Sequence, residues 1–300
     1  MRRDSKSPVH VLRRWLLLAT VLLAGCSLGV RLGYNNADSL LVYAIDGYLG
    51  LTAEQEQLVK ERAGALMAWH RTTQLRDYAQ LIESERRRLD GPVSAADVLA
   101  FNQAVNARLL ALGDRAAPDL AQLALTLTPD QLARMQRKLA NDNVKARREL
   151  AQFAGRETLD QRVQKYAERA DFWFGSLTRE QLDLVRAMLE KHPDSSAWWM
   201  DERERRQREL LALLQRIQHE RPSAEVGAGW LRSYFAQLQS PSEPERRARI
   251  QEFRAVNAEL IAQLVNTATP DQKAALSRRL AGFAQDFTAL AAERIALPPG

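Results

Sequence analysis

The chain has 300 residues, with 43 Lys and Arg against 37 Asp and Glu, four histidines and one cysteine. Five of the basic residues and one of the acids lie in the first 25 positions, so the rest carries 38 basic against 36 acidic; this near balance points away from a nucleic-acid partner. A single cysteine excludes an intrachain disulfide framework, and His10, His70, His192 and His219 stand too far apart for metal-ligand spacing, so no metal or other cofactor is expected.

The N terminus reads as an export signal. Arg2, Arg3, Lys6, Arg13 and Arg14 precede the apolar run 15–24, which ends in Leu23-Ala24-Gly25-Cys26. A basic start, a short apolar stretch and small residues before a cut mark a secretory signal. The run is too short to remain as a membrane span, which takes about 20 apolar residues. The tetrapeptide has the form of a bacterial lipobox. Residues 1–25 are therefore expected to be cleaved, Cys26 to be lipidated, and 26–36 to form a tether. Stable anchoring takes two acyl chains or more, which makes the lipid bilayer a partner through acylated Cys26. Ser27 stands where, by analogy with lipoproteins, an aspartate would favour the inner membrane. The expected place is the periplasmic face of the outer membrane.

Beyond residue 36 the strong helix formers Ala, Leu, Arg, Gln and Glu dominate, and no alternating strand pattern runs for more than a few residues. The expected fold is all-α: an elongated multi-helix bundle with long antiparallel helices. The helices are placed at 37–48, 53–89, 95–125, 129–174, 179–190, 195–220, 224–239, 244–266 and 270–295. They form one domain over 37–300, with a candidate subdivision at 191–196. Leu75, Tyr78, Ile82 and Leu89 make one apolar stripe; Leu132, Met135, Leu139, Ala146, Leu150 and Phe153 make another. Asp90-Gly91-Pro92, Arg221-Pro222-Ser223 and Ser240-Pro241-Ser242-Glu243-Pro244 punctuate the chain. Pro118 should kink or end its helix.

One pattern recurs four times: Leu51-Thr52-x-x-Gln55, Leu127-Thr128-x-x-Gln131, Leu177-Thr178-x-x-Gln181 and Ala268-Thr269-x-x-Gln272. Each reads as a helix start. The threonine accepts from an otherwise unpaired amide, and the glutamine three residues on reaches back to the threonine's own amide. Pro129 and Pro270 occupy the first helical position, where no donor is missed. The threonines are separated by 76, 50 and 91 residues, too irregular for a solenoid.

The Leu-Thr-x-x-Gln segments resemble a motif of Spy-like periplasmic chaperones. The order of lipobox, Tyr34-Asn35-Asn36-Ala37-Asp38, Leu51-Thr52-x-x-Gln55, Trp69-His70-Arg71 and Leu75-x-x-Tyr78-Ala79 is similar to a family of proteobacterial lipoproteins whose domain has no known function. That resemblance runs through most of the chain. It implies a helical, exported, lipid-anchored protein, and it implies no reaction.

Trp69-His70-Arg71 is the most enzyme-like cluster, with a candidate base and an anion clamp. Adjacent helical residues diverge by about 100°, however, and a rim around a core tryptophan accounts for the trio equally. Tyr34-Asn35-Asn36 reads as a turn with Asp38 capping the next helix. Phe172-Trp173-Phe174 and Trp198-Trp199-Met200 are either core packing or an exposed apolar grip. The charged run 201–209 and the Arg246-Arg247 pair read as solvated ion-pair faces. No catalytic residue is assigned. The expected role is a protein-binding, chaperone-like or assembly factor with envelope proteins as partners, its oligomeric state left open. The alternatives are an enzyme acting on envelope polymers and a structural spacer.

Overall fold

The computed structural model describes residues 30–154, 159–192 and 195–293. Cys26 and the export signal lie outside the described residues, as do positions 193–194 of the expected subdivision. Among the described residues there is no strand. A helical stretch at 30–35 is followed by α1 (Ala37–Leu49), α2 (Ala53–Thr73), α3 (Leu75–Arg88), α4 (Ala95–Thr126), α5 (Pro129–Ala154), α6 (Leu159–Phe174), α7 (Arg179–Lys191), α8 (Ser195–Glu220), α9 (Ala224–Gln239), α10 (Pro244–Asn266) and α11 (Pro270–Ala292). The protein is an all-α multi-helix bundle. None of the described helices is long and apolar enough to cross a membrane.

Several boundaries differ from the sequence expectation. The stretch 53–89 is two helices, divided at Gln74, whose amide still bonds His70 O. Pro118 does not end its helix; α4 runs through it for 32 residues. Neighbouring helices cover that turn, with Ala117 and Ala121 fully buried, so packing outweighs the lost backbone bond. Asp38 is not a cap. Helix α1 starts after Asn36, and Asp38 sits in its first turn. Residues 30–35, expected as tether, are helical.

The four threonine–glutamine starts are paired two and two. Each threonine hydroxyl accepts from the glutamine amide three residues on, and each glutamine Oε1 accepts from the threonine amide. Each glutamine then reaches across to a second copy. Gln55 Nε2 donates to Gln131 Oε1 at 3.2 Å, and Gln131 Nε2 donates to Gln55 Oε1 at 2.6 Å. Gln181 and Gln272 exchange the same two bonds at 3.0 and 2.9 Å. The second amide proton of each goes to the helix end facing it: Gln55 to Thr126 O, Gln131 to Gly50 O, Gln181 to Leu264 O and Gln272 to Ser176 O. All four glutamines are buried, Gln181 completely. Every donor and acceptor is used, so these polar side chains are tolerated inside.

These pairs organise two similar halves. In the first, α1 packs on α2 and α5, and α2 packs on α4. In the second, α6 packs on α7 and α11, and α7 packs on α10. The first helix of each half ends on a left-handed glycine, Gly50 at φ 63° and Gly175 at φ 73°. Their amides bond back to Asp46 O and Asp171 O at 2.7 and 2.8 Å, a helix stop that a side chain would strain. Helix α4 joins the halves. Its Leu123 faces the first core beside Val59, Leu132 and Leu211, while Val98 enters the second beside Val185, Ala258 and Leu264.

Candidate functional site

The structure brings Tyr34-Asn35 and His70-Arg71 together. Tyr34 Oη lies 2.8 Å from His70 Nδ1, and Tyr78 Oη lies 3.3 Å from His70 Nε2. Arg71 donates to Asn35 Oδ1 at 2.5 Å, to Glu293 Oε2 at 3.1 Å and to Leu290 O at 3.1 Å, and its guanidinium stacks over the Tyr34 ring. Arg31 adds an ion pair of 3.0 Å to buried Asp286 of α11. Trp69 stands beside the ring of His70 but takes no part in these bonds.

Burial raises the Tyr34 phenol to about 12, against the lowering pull of Arg71, and raises Tyr78 as well. Burial also lowers His70 from its ordinary value. All three groups are therefore neutral near neutral pH. A neutral imidazole offers one donor and one acceptor, and the two phenols take both. No carboxylate orients the ring, and Asp77 pairs with Arg108 instead at 2.7 Å. The cluster acts as a latch that clips 30–36 onto α2, α3 and α11. Arg71→Ala removes three of its bonds. Hydrogen exchange in 30–36 should rise by about tenfold while the rest of the chain keeps its protection; unchanged exchange there would remove the latch.

A second polar cluster corrects the sequence expectation. Glu202 and Arg246 are not solvated but are 3% and 7% exposed. The Arg246 guanidinium grips both Glu202 oxygens at 2.9 Å and reaches Glu209 at 2.8 Å, while Arg206 bonds Glu202 at 2.6 Å. Burial pushes the Glu202 carboxyl up, but the bonds from Arg246 and Arg206 outweigh it and hold the carboxyl below the usual range. The signal in the sequence is that Arg246 shares a helix face with Ile250 and Phe253, both buried.

The aromatic runs split between core and surface. Phe174 and Met200 are buried, whereas Phe172, Trp173 and Trp199 remain exposed, packed against Phe283 or Phe253.

A further apolar feature, which no sequence pattern signals, lies elsewhere. A cavity of about 450 Å³ opens between α1, α2, α4 and α9. Its wall includes Leu41, Ile45, Leu66, Leu112, Ala116 and Phe235. Leu41 and Leu109 at its edge are 38% and 52% exposed, so solvent reaches it. Gly113 admits Phe235, since a Cβ there would lie 2.9 Å from the ring. Arg62 and Asp119 are the charged groups of the wall, 3.5 Å apart. Volume and lining match a site for an apolar ligand. Among the described residues, no group of three or more His, Cys, Asp or Glu is placed to hold a metal.

Residues 47–225 match DUF6279, a family of unknown function. That segment includes His70, Arg71 and the α2 and α4 walls of the cavity; Tyr34 and most of α1 and α9 fall outside it. Comparison with curated proteins and with solved structures gives no match.

Proposed function

From the premise that the chain belongs to the DUF6279 family, which brings no activity with it, we propose that the protein is a non-catalytic binding protein of the cell envelope that takes an apolar ligand between α1, α2, α4 and α9. The observation that carries this reading is the mostly apolar 450 Å³ cavity that stays open between these four helices. Protein interiors close to crystal-like density, and a void of this size forfeits contacts along its whole wall. A ligand restores them. The envelope setting rests on the leader and on Leu23-Ala24-Gly25-Cys26, which support a lipid anchor at the outer membrane's periplasmic face. An enzymatic role through His70 is disfavoured, because both ring nitrogens are engaged by phenols.

The test uses the chain from residue 27 on, which contains every described helix. A neutral apolar fluorophore such as N-phenyl-1-naphthylamine should bind at one per chain. Ala116→Trp, which fills the cavity from its wall, should weaken binding at least tenfold with helicity unchanged; Leu112→Trp serves if the first variant folds poorly. Equal binding by wild type and a folded filled variant would reject the site.

A further inference from the structure

The lining of the cavity constrains its ligand further. A cavity of about 150 Å³ with Leu, Ile and Phe walls holds one benzene, six carbons. The 450 Å³ here therefore accommodates about 18 carbons. That suits one long hydrocarbon chain and is too small for a two-chain lipid. Apart from Arg62, Asp119 and Gln239 the wall is apolar: Leu58 and Leu66 flank Arg62 one turn away on either side, and Leu112, Ala116 and Leu120 face them from α4.

The head of the ligand is constrained by charge. Arg62 is 47% exposed, so its guanidinium stands where the cavity meets solvent. Among the described residues its ion-pair partner is Asp119 at 3.5 Å, too far for a good hydrogen bond. Asp119 is also shared with Arg115, at 3.8 Å. Two guanidiniums with ten N–H donors thus share one carboxylate, and this rim carries an excess of one positive charge. Arginine donors left over in this way fit a planar anionic oxygen pair.

We propose that the ligand is a single-chain amphiphile with an anionic head, a long-chain fatty carboxylate, whose tail fills the α1–α2–α4–α9 cavity and whose carboxylate is bound by Arg62. This inference rests on the reading of the cavity as an apolar binding site and adds the head group and the chain count. The second half of the molecule offers a contrast. There the corresponding helices α6, α7 and α10 close around Val93 and Val98 in one buried core.

Displacement of the neutral fluorophore tests the proposal, with hexadecanoate and hexadecanol titrated separately below their aggregation limits. Hexadecanoate should displace the probe at one per chain, and hexadecanol should be about tenfold weaker. Arg62→Gln should erase that difference. Ala116→Trp should abolish displacement by both. If acid and alcohol displace equally, and Arg62→Gln changes neither, the carboxylate inference falls while the apolar site stands. If the probe never binds, both fall. Displacement by an amphipathic helical peptide but not by hexadecanoate would assign the cavity to a protein segment and overturn the proposal. So would loss of probe binding on dimerisation, which would assign the cavity to a second copy. Probe binding by the chain from residue 27 but none by the full lipidated chain, restored by delipidation, would assign it to the protein's own anchor and likewise overturn the proposal.

Discussion

Glu202→Ala is expected to lower the unfolding free energy by about 3–5 kcal/mol, because it leaves the Arg246 guanidinium buried without its main counter-charge. For a bundle of this size that is roughly a 10 °C fall in melting temperature. Glu209 still bonds Arg246, but its side chain is 33% exposed and replaces only part of the lost interaction. The paired change Glu202→Leu with Arg246→Met removes the isolated charge and should be less destabilising than either single change. A double-mutant cycle by chemical denaturation measures this coupling; additive losses would show that the pair is not a unit. The same cluster sets a pH dependence. Its folded carboxyl titrates below the unfolded value of about 4.3. The stabilisation is therefore complete above that pH and is lost as pH falls toward the folded value. Glu202→Gln should flatten this part of the acid-unfolding curve.

Gln181→Ala should cost about 3 kcal/mol. The side chain is fully buried and makes four bonds: one to its own cap, two exchanged with Gln272, and one to Leu264 O. Its removal leaves one donor and one acceptor site of the buried Gln272 amide unpaired and takes from the Leu264 carbonyl its shorter bond, and an unsatisfied buried group costs about 1–3 kcal/mol. The exposed Gln57, changed in the same way, should stay within about 0.5 kcal/mol. Denaturant unfolding of both variants decides the matter. Equal losses would mean that the glutamines serve only as local caps and that pairing contributes nothing. A full effect at Gln181 would establish that the two halves are each closed by an amide pair.

The helical class was legible in the sequence because helix formation is largely local. The excess of Ala, Leu, Glu and Arg, the threonine caps and the proline starts act within a few residues. Leu127 and Leu132, on either side of the Thr128 cap, lie in one core. The break at Gln74 was not legible, since nothing in Thr73-Gln74-Leu75 punctuates the chain. Pro118 misled in the opposite direction, because a locally unfavourable residue was overruled by burial of the turn around it. The polar trio Trp69-His70-Arg71 was visible as a cluster of types. Its partners Tyr34, Leu290 and Glu293 lie up to 222 residues away, and no spacing rule connects them.

The threonine–glutamine motif separates the two kinds of information most clearly. Four helix starts follow from local residues alone, because a capping box is complete within four residues. The near-neutral helical body and the lone Cys26 behind an export-like leader are likewise properties of the chain before it folds. Packing between distant helices makes Gln55 meet Gln131 and Gln181 meet Gln272, buries Glu202 and Arg246, and leaves a mostly apolar cavity open beside Arg62. The physical reason is common to all three. Each depends on which helix faces share an interior, and that is settled by the summed burial of long-range contacts rather than by any local preference.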